Sequence, residues 1–169
     1  MQVGLSMLSL TRKADYALVG LVDLARRAPE KASARELAES SKVPLPMLMN
    51  ILKELVAGGI VVSTRGMNGG YRLAKDPAEI TLRELIHTVE GPINLTMCCA
   101  ESTDVEQDQQ CDLSGSCPTE APIHKVNEIF RTFLGQVTLA HLMSNDVPIT
   151  IGLTKVMNRI APQTAMSSG

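Results

Sequence analysis

The chain has 169 residues, of which 44% are hydrophobic, 20% charged and 2% aromatic, with a formal net charge of −2. It is too apolar for disorder, lacks the run of about 18 apolar residues that a membrane helix needs, and opens without the basic start and apolar core of a secretory signal. Secreted, fibrous and membrane-spanning classes are therefore disfavoured, and we expect a cytoplasmic protein.

Charge is unevenly divided: residues 1–76 hold eleven Lys/Arg against seven Asp/Glu, and residues 77–169 hold five against eleven. A basic half joined to an acidic half suggests a polyanion-binding module with a separate second function.

In chain order, Thr11 is placed to cap a helix over about 12–28, with Ala14, Leu18, Leu21, Val22 and Ala25 at three- and four-residue steps and Pro29 as its stop. Ser33 and Glu36 have the spacing of a capping box for a short helix over about 34–40, with Leu37 and Ala38 inward. After the brief link Ser41–Pro44, a third helix takes Pro46 in its first turn and stops at Gly58-Gly59. Its buried face is Leu45, Leu48, Ile51, Leu52, Leu55 and Val56. Residues 60–64 and 71–74 then predict two strands around a glycine-rich turn. Helix, helix, short turn, helix and hairpin is the order of a winged helix-turn-helix.

A second capping-box pair, Thr81 and Glu84, opens a helix over about 82–90 that ends at Gly91-Pro92. No periodicity survives from 92 to about 118, a stretch that contains all four cysteines. A long structureless segment in a compact domain is usually functional or disordered, and four clustered thiols favour function. The last long helix, over about 120–136, carries Ile123, Val126, Phe130, Phe133 and Val137 at alternating three- and four-residue steps. That is the narrow seam of a helix that pairs with another helix, here a dimer interface. Thr138 is placed to cap a further turn through Met143, and residues 145–169 predict a loosely ordered tail.

The third helix is the expected recognition helix, presenting Met47, Met49, Asn50 and Lys53 outward. Asn can pair with an adenine edge, Lys with phosphate or guanine, and Met with a thymine methyl. Arg65, at the hairpin turn, can enter a narrow minor groove where negative potential is concentrated. The second constellation is Cys98, Cys99, Cys111 and Cys117. Its spacing lacks the Cys-x-x-Cys hairpin of structural zinc and the ferredoxin runs. A vicinal pair is expected to give one ligand to a small site, which leaves three thiolates and a fourth group, with Glu120 and His124 nearby. An iron–sulfur cluster, zinc and a thiol–disulfide switch all remain open on spacing. His87 and His141 are read as ordinary helix residues. No nucleophile triad, phosphate loop or carboxylate pair stands out, so no enzyme is expected.

Leu10-Thr11, Asp15-Tyr16-Ala17, the run Arg65 to Leu73, Ile80-Thr81-Leu82, Glu90-Gly91-Pro92, the cysteine loop and Val137-Thr138-Leu139 together resemble the Rrf-type transcription regulators, which include IscR-like, NsrR-like and RirA-like repressors. The resemblance covers about residues 7–144. It implies a homodimer that binds a double-stranded DNA operator and, in cluster-binding members, a 2Fe-2S or 4Fe-4S cluster on three loop cysteines. By motif position these are Cys98, Cys111 and Cys117, with Cys99 an extra thiol that could replace Cys98. Relatives place the fourth ligand either three residues after the last cysteine, here Glu120, or at the Asp of Asp-Tyr-Ala, here Asp15. Asp15 is preferred, then Glu120, then His124.

The expected architecture is mainly α with a small β-hairpin: a winged helix-turn-helix domain plus a long dimerisation helix. It divides into a DNA-binding domain (7–80), a connecting helix and loop (81–97), a cysteine-rich cluster-binding loop (98–119), a dimerisation helix region (120–144) and the tail. The expected function is a transcription regulator whose operator affinity follows a cluster that senses iron, nitric oxide or redox state. A cluster-free thiol–disulfide regulator of the same fold is the alternative.

Overall fold

The computed structural model describes residues 10–66, 69–99, 113 and 115–144. The tail 145–169, Cys111 and most of the expected cluster loop lie outside these residues.

Helix α1 spans Arg12–Arg27, and the Thr11 hydroxyl accepts from the Lys13 amide at its start. The Thr11 amide in turn donates to Glu90 Oε1 at 3.1 Å, so a carboxylate from a distant helix sits where α1 leaves its first amides unpaired. Helix α2 (Ala34–Ser41) opens with the complete capping box of Ser33 and Glu36 and closes on Lys42, which takes the left-handed conformation at φ 56°. Helix α3 (Leu45–Ala57) follows directly and buries Leu48, Ile51, Leu52 and Leu55. Gly20 lets α1 approach α3 closely, since a Cβ there would stand 3.3 Å from a Leu48 methyl.

Strands β1 (Val61–Thr64) and β2 (Gly70–Leu73) pair antiparallel, with Val61 opposite Leu73 and Thr64 opposite Gly70. The hairpin also gains a one-residue third edge: Ala32 and Tyr71 exchange both backbone hydrogen bonds, at 3.0 and 2.8 Å. A Cβ on Gly70 would come 2.9 Å from the Ala32 carbonyl oxygen, so the wing's root requires glycine there.

Helix α4 (Leu82–Glu90) starts on Thr81, whose side chain accepts from the Glu84 amide. Only this half of the expected box is seen as such. The Glu84 carboxylate instead meets Lys75 Nζ at 2.6 Å. A single 3-10 turn, Met97–Cys99, precedes helix α5 (Glu120–Gln136) and the short α6 (Leu139–Ser144). The end of α5 is stitched to the chain before α4: Leu82 N–H donates to the Val137 carbonyl, Leu139 N–H to that of Ile80 and Ala140 N–H to that of Pro77.

One hydrophobic cluster joins α1, α2, α3 and β1 to Leu85, Ile86 and Val89 of α4, Leu134 of α5 and Leu139 of α6. The core is thus continuous across residue 80, and the root of α5 belongs to it. Among the described residues no helix is long and apolar enough to cross a membrane.

Candidate nucleic-acid interface and thiol site

Burial of Leu48, Ile51, Leu52 and Leu55 fixes the rotation of α3 and leaves its other face to solvent. Asn50 and Lys53 are exposed on it, and Met47 and Met49 remain 41% and 42% exposed. Two half-exposed methionines on an otherwise well-packed helix are available for contact with a partner surface. Arg65 is exposed one residue after β1, followed by Gly66 at φ 109°, a conformation suited to glycine.

The thiol region is assembled on α5. Asn127 is the one buried polar residue among those described, and its Oδ1 accepts the Leu95 amide at 3.0 Å. With its side-chain nitrogen turned inward, Asn94 donates to the Cys99 carbonyl at 2.9 Å. Asn127 holds the segment after α4 against α5, and Asn94 closes that segment onto the 3-10 turn. Cys99 is buried with its thiol 3.9 Å from the Ile123 carbonyl, whereas Cys98 is half-buried. The Thr96 hydroxyl touches both sulfurs, at 3.1 and 3.2 Å.

His124, exposed on the first turns of α5, completes this group: its ring nitrogen and the sulfurs of Cys98 and Cys99 all lie within 4.8 Å of one another. Both thiols of the vicinal pair thus lie near His124. The 3-10 turn folds both thiols toward the same point. Asp15, Cys117 and Glu120 are not members of that group. Asp15 is exposed in the first turn of α1. The Glu120 carboxylate accepts the Gly115 amide at 2.9 Å. Cys117 is half-buried, and its sulfur lies 3.2 Å from the Thr119 hydroxyl. Hydrogen bonds from the Thr119 side chain and backbone hold its thiol below the ordinary range, favouring the nucleophilic thiolate.

Of the expected seam, Val126 is 49% exposed, while Ile123, Phe130 and Phe133 are half-buried, the two phenylalanines partly against the core. Val137 departs from it. It is 4% exposed within its own chain, because the backbone stitching at Leu82 pulls this residue inward. A residue so buried has no area left to give to a second chain. His141 is likewise more than an ordinary helix residue: its Nδ1 accepts the Thr138 amide, and its own amide donates to the Thr138 hydroxyl, a reciprocal cap on α6.

Sequence reasoning missed Asn127, although a lone Asn among apolar steps on α5 was the available signal. It also missed the pairing of His124 with both thiols, which depends on a turn that no periodicity marks.

Residues 10–145 match the Rrf2 family, described as an iron-dependent transcriptional regulator. The chain belongs to the Rrf2 family. It is 36% identical over 132 residues to an rrf2-like HTH-type transcriptional regulator of Rhodobacter capsulatus, covering 74% of this chain and 83% of that one. The HTH-type transcriptional regulator NsrR of Shouchella clausii is 29% identical over 140 residues, covering 82% and 91%. Among solved structures, CymR, the global cysteine regulator of B. subtilis, aligns at 26% identity and a TM-score of 0.62, covering 82% of this chain and 98% of that one. Rrf2 relatives are transcription regulators and not enzymes, and the mostly helical fold with its two-stranded wing is theirs. As an Rrf2 regulator the chain is a DNA-binding protein.

Proposed function

We propose that this Rrf2 protein is a homodimeric bacterial transcription regulator acting in the cytoplasm, and that an iron–sulfur cluster, 2Fe-2S or 4Fe-4S, sets its operator affinity in response to iron, nitric oxide or redox state. Cys98, Cys111 and Cys117 would hold the cluster, with Asp15, supplied across the dimer, as fourth ligand. The donor set suits it. Iron–sulfur clusters take thiolates, the Cys98 and Cys117 thiols both reach solvent, and Thr119 favours the Cys117 thiolate. When bound, a cluster would supply a set of labile bonds across the loop that iron loss, nitric oxide or oxidants can break.

The observation that carries the proposal is mechanical. The thiol-bearing turn rests on α5, and the chain leaving α5, at Val137, Leu139 and Ala140, is hydrogen-bonded to residues 77–82, which join the wing to α4. A change at the turn therefore has a continuous packed route to the reading helices. Moving such a two-state equilibrium from 1:99 to 99:1 requires about 5.5 kcal/mol of differential binding. Dimerisation is supported by α5 itself, a 17-residue helix that buries only Asn127 and Leu134. Beside it an open groove of about 360 Å³, lined by Leu10, Ile86, Pro92, Ile93 and Phe130 among others, offers apolar surface to a second copy. Met47, Met49, Asn50, Lys53 and Arg65 are the proposed operator contacts, spaced in the dimer for half-sites about 34–36 Å apart.

Protein purified without oxygen is expected to be brown, with visible charge-transfer absorption that Cys111→Ala or Cys117→Ala bleaches. Colourless protein that cannot be reconstituted with iron and sulfide contradicts the proposal. A thiol–disulfide regulator is the second reading, favoured by two sulfurs sharing one hydroxyl contact. Thiol counts that fall by two on oxidation of metal-free protein would support it.

A further inference from the structure

We infer that Cys98, Cys99 and His124 form a binding site for a single thiophilic cation of the zinc class, distinct in ligand set from the proposed cluster. Three donor atoms within 4.8 Å of one another are close enough to share one ion. In a tetrahedral site with Zn–S of about 2.3 Å and Zn–N of about 2.0–2.1 Å, the sulfurs stand about 3.8 Å apart and sulfur and nitrogen about 3.6 Å. Inward movement of no more than about 1.2 Å closes the site, supplied by small rotations of the two cysteine side chains and of the exposed His124. A cluster, by contrast, spreads its protein ligands over several irons.

The surroundings support the assignment. The Thr96 hydroxyl, in contact with both sulfurs, is an outer-shell partner that orients them toward a common point. The segment that carries them is fixed by Asn127, and Cys99 by its burial against α5. An open cleft of about 510 Å³, lined by Cys99 and His124 together with Arg83, Lys125, Glu128 and Arg131, gives an ion access. Binding would release the two thiol protons to solvent, and the two thiolates would cancel the charge of a divalent ion, so the neighbouring cations do not oppose the occupied site. Three protein ligands leave the fourth position to water, an exchangeable arrangement. Because Cys98 belongs to both ligand sets, ion and cluster exclude one another on the same chain.

The test titrates reduced, metal-free full-length protein anaerobically with Co²⁺ and then Zn²⁺. One equivalent of Co²⁺ is expected to give sulfur-to-metal absorption that Zn²⁺ abolishes. Cys99→Ser and His124→Ala should each weaken Zn²⁺ binding at least tenfold yet still take up the iron–sulfur chromophore. Cys117→Ser should bind Zn²⁺ like wild type and lose the chromophore. His124 is exposed, so its variant tests ligation in a folded protein, checked by unchanged circular dichroism. Absence of a stoichiometric Co²⁺ spectrum in the wild type, or Zn²⁺ affinity unchanged in Cys99→Ser and His124→Ala, overturns the site. Normal Zn²⁺ binding in a protein that never takes up a cluster upholds the site and overturns the cluster reading instead.

Discussion

Helices α3 and α5 both carry apolar side chains, α3 the more densely, and they do opposite things with them. Helix α3 turns Leu48, Ile51, Leu52 and Leu55 into the centre of its own chain, each no more than 1% exposed. Helix α5 is four residues longer, yet it buries only Asn127 and Leu134 and leaves Val126 49% exposed. Helix α3 is therefore completed within one chain, while α5 is anchored at its end and keeps exposed apolar surface. In the proposed switch α3 would be the rigid reader and α5 the incompletely satisfied transmitter, because states that are to be exchanged cannot both be locked by a finished core.

The sharpest way to break this contrast is to cut into each helix in turn. Leu52→Ala should destabilise the fold by about 2–5 kcal/mol in denaturant unfolding, as expected for a cavity in a filled core. Val126→Ala should leave the unfolding of the chain itself nearly unchanged and alter sedimentation instead. Equal losses in unfolding would erase the distinction. Asn127→Ala removes the acceptor for the Leu95 amide and should cost about 1–3 kcal/mol, with faster alkylation of Cys99. Unaltered Cys99 protection would mean that the turn is held by something else. Arg65→Ala should weaken operator binding by about 1–3 kcal/mol without changing stability or oligomeric state, and an unchanged isotherm would remove the wing from DNA recognition.

The smallest effect concerns α2. Ser33→Ala should cost about 1 kcal/mol through loss of the cap. Hydrogen bonds from the Ser33 backbone and side chain hold the Glu36 carboxyl below its ordinary value. A carboxyl depressed by folding stabilises the protein above its unfolded-state pKa, and that contribution is lost as pH falls through the folded value. The variant should therefore lose less stability on acidification than the wild type, measured as thermal midpoints from neutral to acid pH.

What could be read from the chain alone follows the same division. In the reading half, each boundary has a local chemical cause: Thr11 and Ser33 as caps, Gly58-Gly59 as a stop, and apolar steps of three and four. Helices α1, α2 and α3 end within a residue of expectation. Near the thiols the decisive contacts are between residues far apart in sequence, such as Asn127 with Leu95, Val137 with Leu82, and His124 with Cys98 and Cys99. The seam on α5 was legible as a period, but the removal of Val137 from it follows from a backbone hydrogen bond to α4. Glu84 shows the same limit on a smaller scale, since Lys75 takes a carboxylate that a local motif reserved for the helix start.

The central claim is that occupancy of the thiol centre changes how the two reading heads engage DNA. It is tested most directly by anaerobic fluorescence-anisotropy titration of one labelled operator with cluster-loaded and cluster-free dimer from the same preparation. Affinities that differ by tenfold or more, a coupling of at least about 1.4 kcal/mol, are the predicted result. Superimposable isotherms for the two forms would contradict it.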